Sequence, residues 1–148
     1  MSNRNVISII TLLIIILLVT VIWWHSMQPG MSSHAESRYV LSIVLSYVDG
    51  TWLAPYLSDG RIRRLAHLTE YASLGLSMSV LSLILSGRQR GIWVLLVGIC
   101  IAAIDEYIQQ FSGGRTSTWH DVVFDTIGCF AGVVIAAVCR AFYRKCKR

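Results

Sequence analysis

The sequence predicts an all-α membrane protein, a four-helix transmembrane bundle with a short amphipathic interfacial helix in the first outer loop. Of its 148 residues, 55% are AVILMFWYC residues and 14% are charged, whereas a soluble domain carries about 25% charged residues. Four stretches reach the length of about 20 mostly apolar residues that a helix needs to cross a bilayer. All eight acidic residues fall toward one end of the predicted bundle. This pattern excludes a soluble enzyme, a disordered tail and a cytosolic nucleic-acid-binding protein.

The four predicted spans cover about residues 6–24, 65–86, 91–111 and 119–142. The first span contains no charged residue. We expect it to remain in the chain rather than to be cleaved, because its apolar run exceeds the roughly 7–15 residues of a signal-peptide core. The chain is short, so one domain over residues 1–148 is expected to hold all four spans.

The distribution of lysine and arginine predicts how the bundle is oriented. Four spans place both termini on one side of the membrane, together with the connection at residues 87–90. That side carries eight of the 13 basic residues, and the other side carries five. Because basic loops stay in the cytoplasm, we expect both termini to be cytoplasmic. The basic run at residues 144–148 then contacts anionic lipid headgroups, and we expect no nucleic-acid partner.

The connection between the first two spans contains a further helical pattern. Residues 39–48 are apolar except for Ser42 and Ser46, and these serines fall at helical spacing from Arg38 and Asp49. This pattern predicts a short amphipathic helix at the outer interface. It is expected either to cover the bundle or to contact a ligand.

Carboxyl groups lie at a matched depth in three of the spans. With a rise of about 1.5 Å per residue, Glu70 lies roughly 7–8 Å inside the second span. Asp105 and Asp125 lie roughly 8–9 Å inside the third and fourth spans. An intramembrane charge costs about 2.5–3.5 kcal/mol on insertion scales. We therefore expect these groups to converge on one shared site beneath the outer surface.

Helical spacing supports this convergence. His67 and Tyr71 share a helix face with Glu70, and Gln109 continues the stripe that contains Asp105. In the fourth span, Asp125 aligns with the small residues of the segment Gly128-x-x-x-Gly132, which allows close helix approach. Polar and small residues are thus predicted to face inward.

Basic residues lie at the same end. Arg64 directly precedes the second span, and Arg115 follows two glycines between the third and fourth spans. A guanidinium group binds either a carboxylate or a phosphate. We expect Arg64 or Arg115 to form ion pairs with Asp105 and Glu106 if these acids are structural.

Other site residues also have structural alternatives. His67 and Glu70 are expected either to form a hydrogen-bonded pair that fixes their helix or to transfer protons. Asp121 follows Thr118 at the spacing of a helix cap. The histidines His34 and His120 are expected to be surface residues without a role.

Three segments resemble the VanZ-like membrane protein family. They are HSMQPGMSSHAES after the first span, RRLAHLTEYASLG at the start of the second span, and DEYIQQFSGGRTSTWHDVVFDTIG across the third and fourth spans. The resemblance covers roughly residues 20–140. One departure is Leu68, where many relatives carry an aromatic residue.

The resemblance implies a location in the bacterial inner membrane and a role at the cell envelope. The family is named for a protein that gives low-level resistance to teicoplanin, a lipoglycopeptide antibiotic. The residues whose importance the resemblance implies, and which we take as the ligand-binding set, are Arg64, His67, Glu70, Tyr71, Asp105, Glu106, Gln109, Arg115, Asp121 and Asp125. The catalytic candidates are His67, Glu70, Asp105, Glu106 and Asp125.

Three functions fit this pattern. The first, which we favour, is binding of membrane lipid or a lipid-linked cell-wall intermediate, with an altered response to a lipoglycopeptide as a consequence. The second is an intramembrane hydrolase or transferase, because the set supplies acid, base and an electrophilic clamp. The third is a structural protein whose charges only lock the helices. We expect no cofactor and no metal, because no HExxH or comparable ligand spacing is present.

Overall fold

The protein is a helical bundle in the computed structural model, which describes residues 2–114 and 118–147. Five α-helices follow one another along the chain: α1 (Asn3–Met27), α2 (Gly30–Val48), α3 (Asp59–Ser86), α4 (Gly91–Gln109) and α5 (Trp119–Cys146), with a short 3-10 helix at Ala54–Tyr56. Helices α1, α3, α4 and α5 are long and apolar enough to cross a membrane. The predicted all-α fold with four spans is therefore confirmed.

The interfacial helix is longer than the sequence predicted. The pattern indicated a helix over residues 39–48, whereas α2 already begins at Gly30. The buried residues of α2 are Gly30, Ser33 and Ser37, while Ser42 and Ser46 in the predicted polar stripe are exposed. The face of α2 that packs against the bundle consists of small residues. Because these residues are not apolar, the spacing of apolar residues does not reveal this face.

Helix α3 packs most extensively against α5. A Cβ atom added to Gly128 would lie 2.6 Å from the backbone oxygen of Leu68, and one added to Gly132 would lie 2.0 Å from that of Ala72. Only glycine fits at such a backbone-to-backbone approach. The close contact predicted from Gly128-x-x-x-Gly132 is thus present, and it holds Asp125, one turn earlier on α5, close to α3.

Both termini lie at one end of the bundle. Arg4 in α1 donates a hydrogen bond of 2.8 Å to the backbone oxygen of Leu85. Arg140 in α5 donates one of 2.8 Å to the oxygen of Gly87, where α3 ends in the left-handed conformation. These contacts bring the chain termini together with the connection between α3 and α4.

The opposite end holds α2 and the connection between α4 and α5. The backbone nitrogen of Gly30 donates a hydrogen bond of 3.0 Å to the oxygen of Gly113, which ties these two elements together. We call this the acidic end because it carries all eight acidic residues of the chain: Glu36, Asp49, Asp59, Glu70, Asp105, Glu106, Asp121 and Asp125.

Candidate functional site

Three side chains from three helices meet within the acidic end. They are His67 of α3, Asp105 of α4 and Asp125 of α5. One imidazole nitrogen and one carboxylate oxygen from each aspartate lie within 4.8 Å of one another. Asp105 is 0% exposed and Asp125 is 4% exposed. The structure thus brings together three of the residues that the sequence placed in one site, and we call them the central triad.

The two carboxylates of the central triad have no lysine or arginine partner in the part of the chain that the structure describes. Over residues 2–114 and 118–147, neither Asp105 nor Asp125 forms an ion pair with such a side chain. Two negative charges no more than 4.8 Å apart repel each other by at least about 3.5 kcal/mol at an effective dielectric constant of 20. A positive charge between them, carried by a proton or a cation, removes this repulsion.

Glu70 lies between two histidines. Its Oε1 accepts a hydrogen bond of 2.8 Å from Nδ1 of His25, at the end of α1. Its Oε2 lies 3.7 Å from Nδ1 of His67, which is too long for a hydrogen bond. The hydrogen-bonded pair considered for His67 and Glu70 is therefore wrong, because His25 is the hydrogen-bonding partner. No role was predicted for His25, although this residue begins the first segment that resembles the family.

Asp105 is oriented by side chains from two helices. Gln109 donates a hydrogen bond of 3.2 Å to Oδ2 of Asp105 and lies 3.2 Å from Oγ of Ser26. Ser112 donates one of 2.6 Å to the backbone oxygen of Ser26. These contacts join the end of α1 to the end of α4. Ser26 was not among the predicted site residues. It is fully buried and lies next to His25 in the same segment.

Arg64 pairs with a different acid from the one expected. Its Nε lies 3.7 Å from Oδ1 of Asp121, and its guanidinium lies 5.7 Å from the centre of the Phe124 ring. No ion pair joins Arg64 to Asp105 among the described residues, because Arg64 pairs with α5 rather than with α4. The other expected partner, Arg115, lies outside the described residues.

The start of α5 is held by two acidic residues. Oε1 of Glu106 accepts a hydrogen bond of 2.6 Å from the backbone nitrogen of Thr118. Oδ2 of Asp121 accepts one of 2.8 Å from the Thr118 hydroxyl. Asp121 therefore interacts with the helix start as its spacing suggested, but Glu106 on α4 supplies the acceptor for the Thr118 backbone amide. These contacts fix α5 beside α4.

Tyr71 contributes a buried phenol. The side chain is fully buried, and its hydroxyl has no hydrogen-bond partner among the described residues. It lies one turn after His67 on the same face of α3. Asp105 and Asp125 lie near enough to interact electrostatically with its hydroxyl. The buried phenol therefore lies near the central triad.

A cavity of about 160 Å³ leads to the central triad from the acidic end. Asp125 and His67 lie in its buried part, whereas Arg64, with a side chain that is 60% exposed, lies at its rim. The residues that line it are His34, Arg63, Arg64, His67, Gln109, Gly114, Thr118, Asp121, Phe124 and Asp125.

A second cavity of about 220 Å³ lies between α2, α3 and the end of α1. Arg63 and His67 line both cavities, so the two spaces share one wall. The lining of the second cavity also includes the apolar side chains of Val40, Ile62 and Ala66.

The two histidines that were expected to be surface residues without a role, one in α2 and one in α5, differ in exposure. His34 lines the first cavity, and its Nδ1 lies 2.7 Å from Oδ2 of Asp59. His120 stacks on Trp119, with ring centroids 3.7 Å apart, and is exposed. His34 therefore joins the site, while His120 stays at the surface.

Comparison with known proteins gives one result. The family model described as VanZ/LLP1 matches residues 11–140 of the chain. Searches among curated proteins and among solved structures returned no match. The matched range includes the central triad, both cavities, and the contacts of His25 and Ser26.

Proposed function

Because the chain belongs to the VanZ/LLP1 family, whose match covers the whole site of this membrane protein, we propose that the first cavity binds the phosphorylated headgroup of an envelope lipid or of a lipid-linked cell-wall intermediate. The observation that supports this most strongly is the arrangement of charge in the cavity. Arg63 and Arg64 line it near the surface, and two residues of the central triad, His67 and Asp125, line its buried part.

The arginines suit the phosphate of such a headgroup. A guanidinium offers planar paired donors that match phosphate oxygens. Arg64 is held in place by Asp121 and Phe124, so little freedom is lost on binding. Asp125 lies deeper and accepts hydrogen bonds only. The cavity therefore suits a headgroup that carries hydroxyl or ammonium donors beyond its phosphate.

The size of the cavity excludes a large ligand. Its volume of about 160 Å³ is below the roughly 300–1,000 Å³ of pockets that enclose drug-sized molecules. A lipid headgroup fits there, whereas a whole lipoglycopeptide does not. Low-level teicoplanin resistance would then follow from holding the lipid-linked molecule and not from binding the antibiotic.

The proposal places the acidic end at the extracytoplasmic face, where envelope lipids present their headgroups. The excess of lysine and arginine at the other end, eight residues against five, supports this orientation through the positive-inside rule. The second cavity, with Val40 and Ile62 in its lining, offers apolar surface beside the headgroup site.

A second candidate function is hydrolysis or group transfer on a lipid-linked substrate. The observation that favours it is the imidazole of His67 beside two buried carboxylates at the base of the same cavity. Such groups supply general acid and general base catalysis.

Native mass spectrometry of the purified protein tests the binding function. The variant Arg63→Ala/Arg64→Ala removes both guanidinium groups of the cavity. Arg61→Ala is the matched control, because Arg61 lies on the same turn of α3 but hydrogen-bonds to the backbone of Tyr56 and does not line the cavity. We expect retained phospholipid or lipid-linked intermediate in the wild type and in Arg61→Ala, with loss of about tenfold or more in the double variant.

Two results decide between the candidates. Equal retention of lipid in all three proteins contradicts the headgroup site. Conversion of an envelope lipid into a new product by the wild-type protein, and not by His67→Ala, establishes the enzymatic function instead.

A further inference from the structure

The geometry points to a divalent metal site in the central triad, with a transition-metal ion such as Zn²⁺ or Mn²⁺ bound by His67, Asp105 and Asp125. The three side chains belong to three different helices, and each offers one ligand atom within 4.8 Å of the other two. This inference does not rest on the headgroup site, because the ion would bind with or without a lipid.

The spacing of the three atoms is close to what a metal ion needs. When no two of three atoms are more than 4.8 Å apart, some point lies within 4.8/√3, about 2.8 Å, of all three. Zinc lies about 2.0–2.2 Å from nitrogen and carboxylate ligands. Each side chain must therefore move inward by less than about 1 Å, which small rotations of the side chains supply.

Two buried polar atoms in the site have no hydrogen-bond partner in the part of the chain that the structure describes. Asp105 is fully buried, and its Oδ1 accepts no hydrogen bond from the described residues. The fully buried hydroxyl of Tyr71 likewise has no partner among them, and it lies near enough to interact with both aspartates. Buried polar atoms are nearly always satisfied in native proteins. A bound cation would take up Oδ1 of Asp105 directly.

The ligand types favour a transition metal over calcium or magnesium. Imidazole suits Zn²⁺ and carboxylate suits Mn²⁺, so a site with one imidazole and two carboxylates can hold either ion, whereas Ca²⁺ and Mg²⁺ prefer oxygen ligands throughout. Three protein ligands leave one or more coordination positions open. Those positions face the first cavity, because His67 and Asp125 both line it.

The neighbouring contacts resemble the outer shell of a metal site. Gln109 donates to Oδ2 of Asp105, which leaves Oδ1 for the ion. Oε2 of Glu70 lies 3.7 Å from Nδ1 of His67, which places a carboxylate beside the imidazole without a hydrogen bond between them. Hydrogen-bonding partners such as Gln109 fix ligand orientation in metal sites.

Metal analysis of the lipid-free, detergent-purified protein tests the inference. The protein is stripped with a chelator, then exposed in separate arms to Zn²⁺, Mn²⁺, Mg²⁺ or Ca²⁺, desalted and measured by elemental mass spectrometry. We expect one Zn²⁺ or Mn²⁺ per wild-type chain and little retained Mg²⁺ or Ca²⁺. Co²⁺ in the same site should give visible d–d absorption bands.

Ligand variants and a matched control complete the experiment. His67→Ala, Asp105→Asn and Asp125→Asn should each lose the retained ion. Asp49→Asn removes an exposed carboxylate from the same end of the molecule and should retain it. The two asparagine variants keep the shape of the side chain, and thermal unfolding in chelator shows whether they fold.

The wild-type protein alone can overturn the inference. A chain that retains none of the four ions, and whose melting temperature does not rise when Zn²⁺ or Mn²⁺ is added, has no such site. Equal metal content in all variants, or equal loss in Asp49→Asn, also contradicts it. Retained metal in this experiment, combined with equal lipid retention by all three proteins in the native mass spectrometry experiment, supports the metal site and rejects the headgroup proposal. The opposite pattern rejects only the metal site.

Discussion

Replacing Gly132 by alanine tests the helix contact that brings the site together. The new Cβ would lie 2.0 Å from the backbone oxygen of Ala72 and 2.6 Å from the backbone nitrogen of Leu76. Ordinary contact begins near 3.4 Å, so α5 must retreat from α3 by about 1.4 Å. Backbone atoms cannot rotate aside as the end of a side chain can.

The change in the free energy of unfolding caused by Gly132→Ala combines two opposing effects. Overpacking of a well-packed interior costs about 1–3 kcal/mol. Alanine in place of a helical glycine recovers about 1 kcal/mol at an exposed position. Because the clash here is with backbone atoms of two residues of α3, we expect a net loss of about 2 kcal/mol in the free energy of unfolding.

Thermal unfolding in detergent measures this loss, followed by tryptophan fluorescence. The matched control is Gly60→Ala, also in a helix, where an added Cβ meets no atom within 4 Å. We expect the melting temperature to fall by several degrees in Gly132→Ala and to stay level or rise slightly in Gly60→Ala. An unchanged or higher melting temperature for Gly132→Ala would refute the reasoning that backbone contact sets the distance between α3 and α5.

Three further predictions concern the hydrogen bond of Glu70, the hydrogen bond of Ser112 and the orientation of the bundle in the membrane. A double-mutant cycle of His25→Ala and Glu70→Gln should give a coupling of about 1–2 kcal/mol; additive effects would contradict the 2.8 Å hydrogen bond. Ser112→Ala should lower the free energy of unfolding by about 1 kcal/mol, because its buried hydroxyl donates to Ser26; full stability would contradict that role. With the other cysteines replaced, the exposed Cys146 should react with a membrane-impermeant maleimide in inverted vesicles; reaction in intact cells would reverse the proposed orientation.

Much of the fold could be predicted because the bilayer imposes a simple rule on sequence. Long apolar runs with few charges must be helices across the membrane, and the four spans follow from that rule. The close contact at Gly128 and Gly132 was also predictable, because small residues four apart mark helix contacts in membranes.

The packed face of α2 was not predictable from hydropathy. Its buried residues, Gly30, Ser33 and Ser37, carry no apolar signal. The same limit explains why Ser26 was missed, although it is fully buried at the end of α1. Such polar residues are recognised only when their hydrogen-bond partners are known.

Which side chains pair within the site depends on how each helix is rotated about its own axis relative to its neighbours. Matched depth indicated that carboxyl groups from three spans would share a level, and the structure brings Asp105 and Asp125 together with His67. Depth alone does not decide which acid faces Arg64, which pairs with Asp121 and not with Asp105. A ligand set drawn from three helices likewise leaves no local spacing, so the search for a metal motif in the sequence had nothing to detect.

The central claim is that side chains from three helices meet in one buried site. The most direct test is a crystal structure from crystals grown in a lipid phase, at a resolution that shows individual side chains. The account predicts that an imidazole nitrogen of His67 and carboxylate oxygens of Asp105 and Asp125 lie within 4.8 Å of one another beneath a cavity that opens at the acidic end. Side chains of these three residues directed toward the bilayer, or separated by the width of another helix, would contradict it.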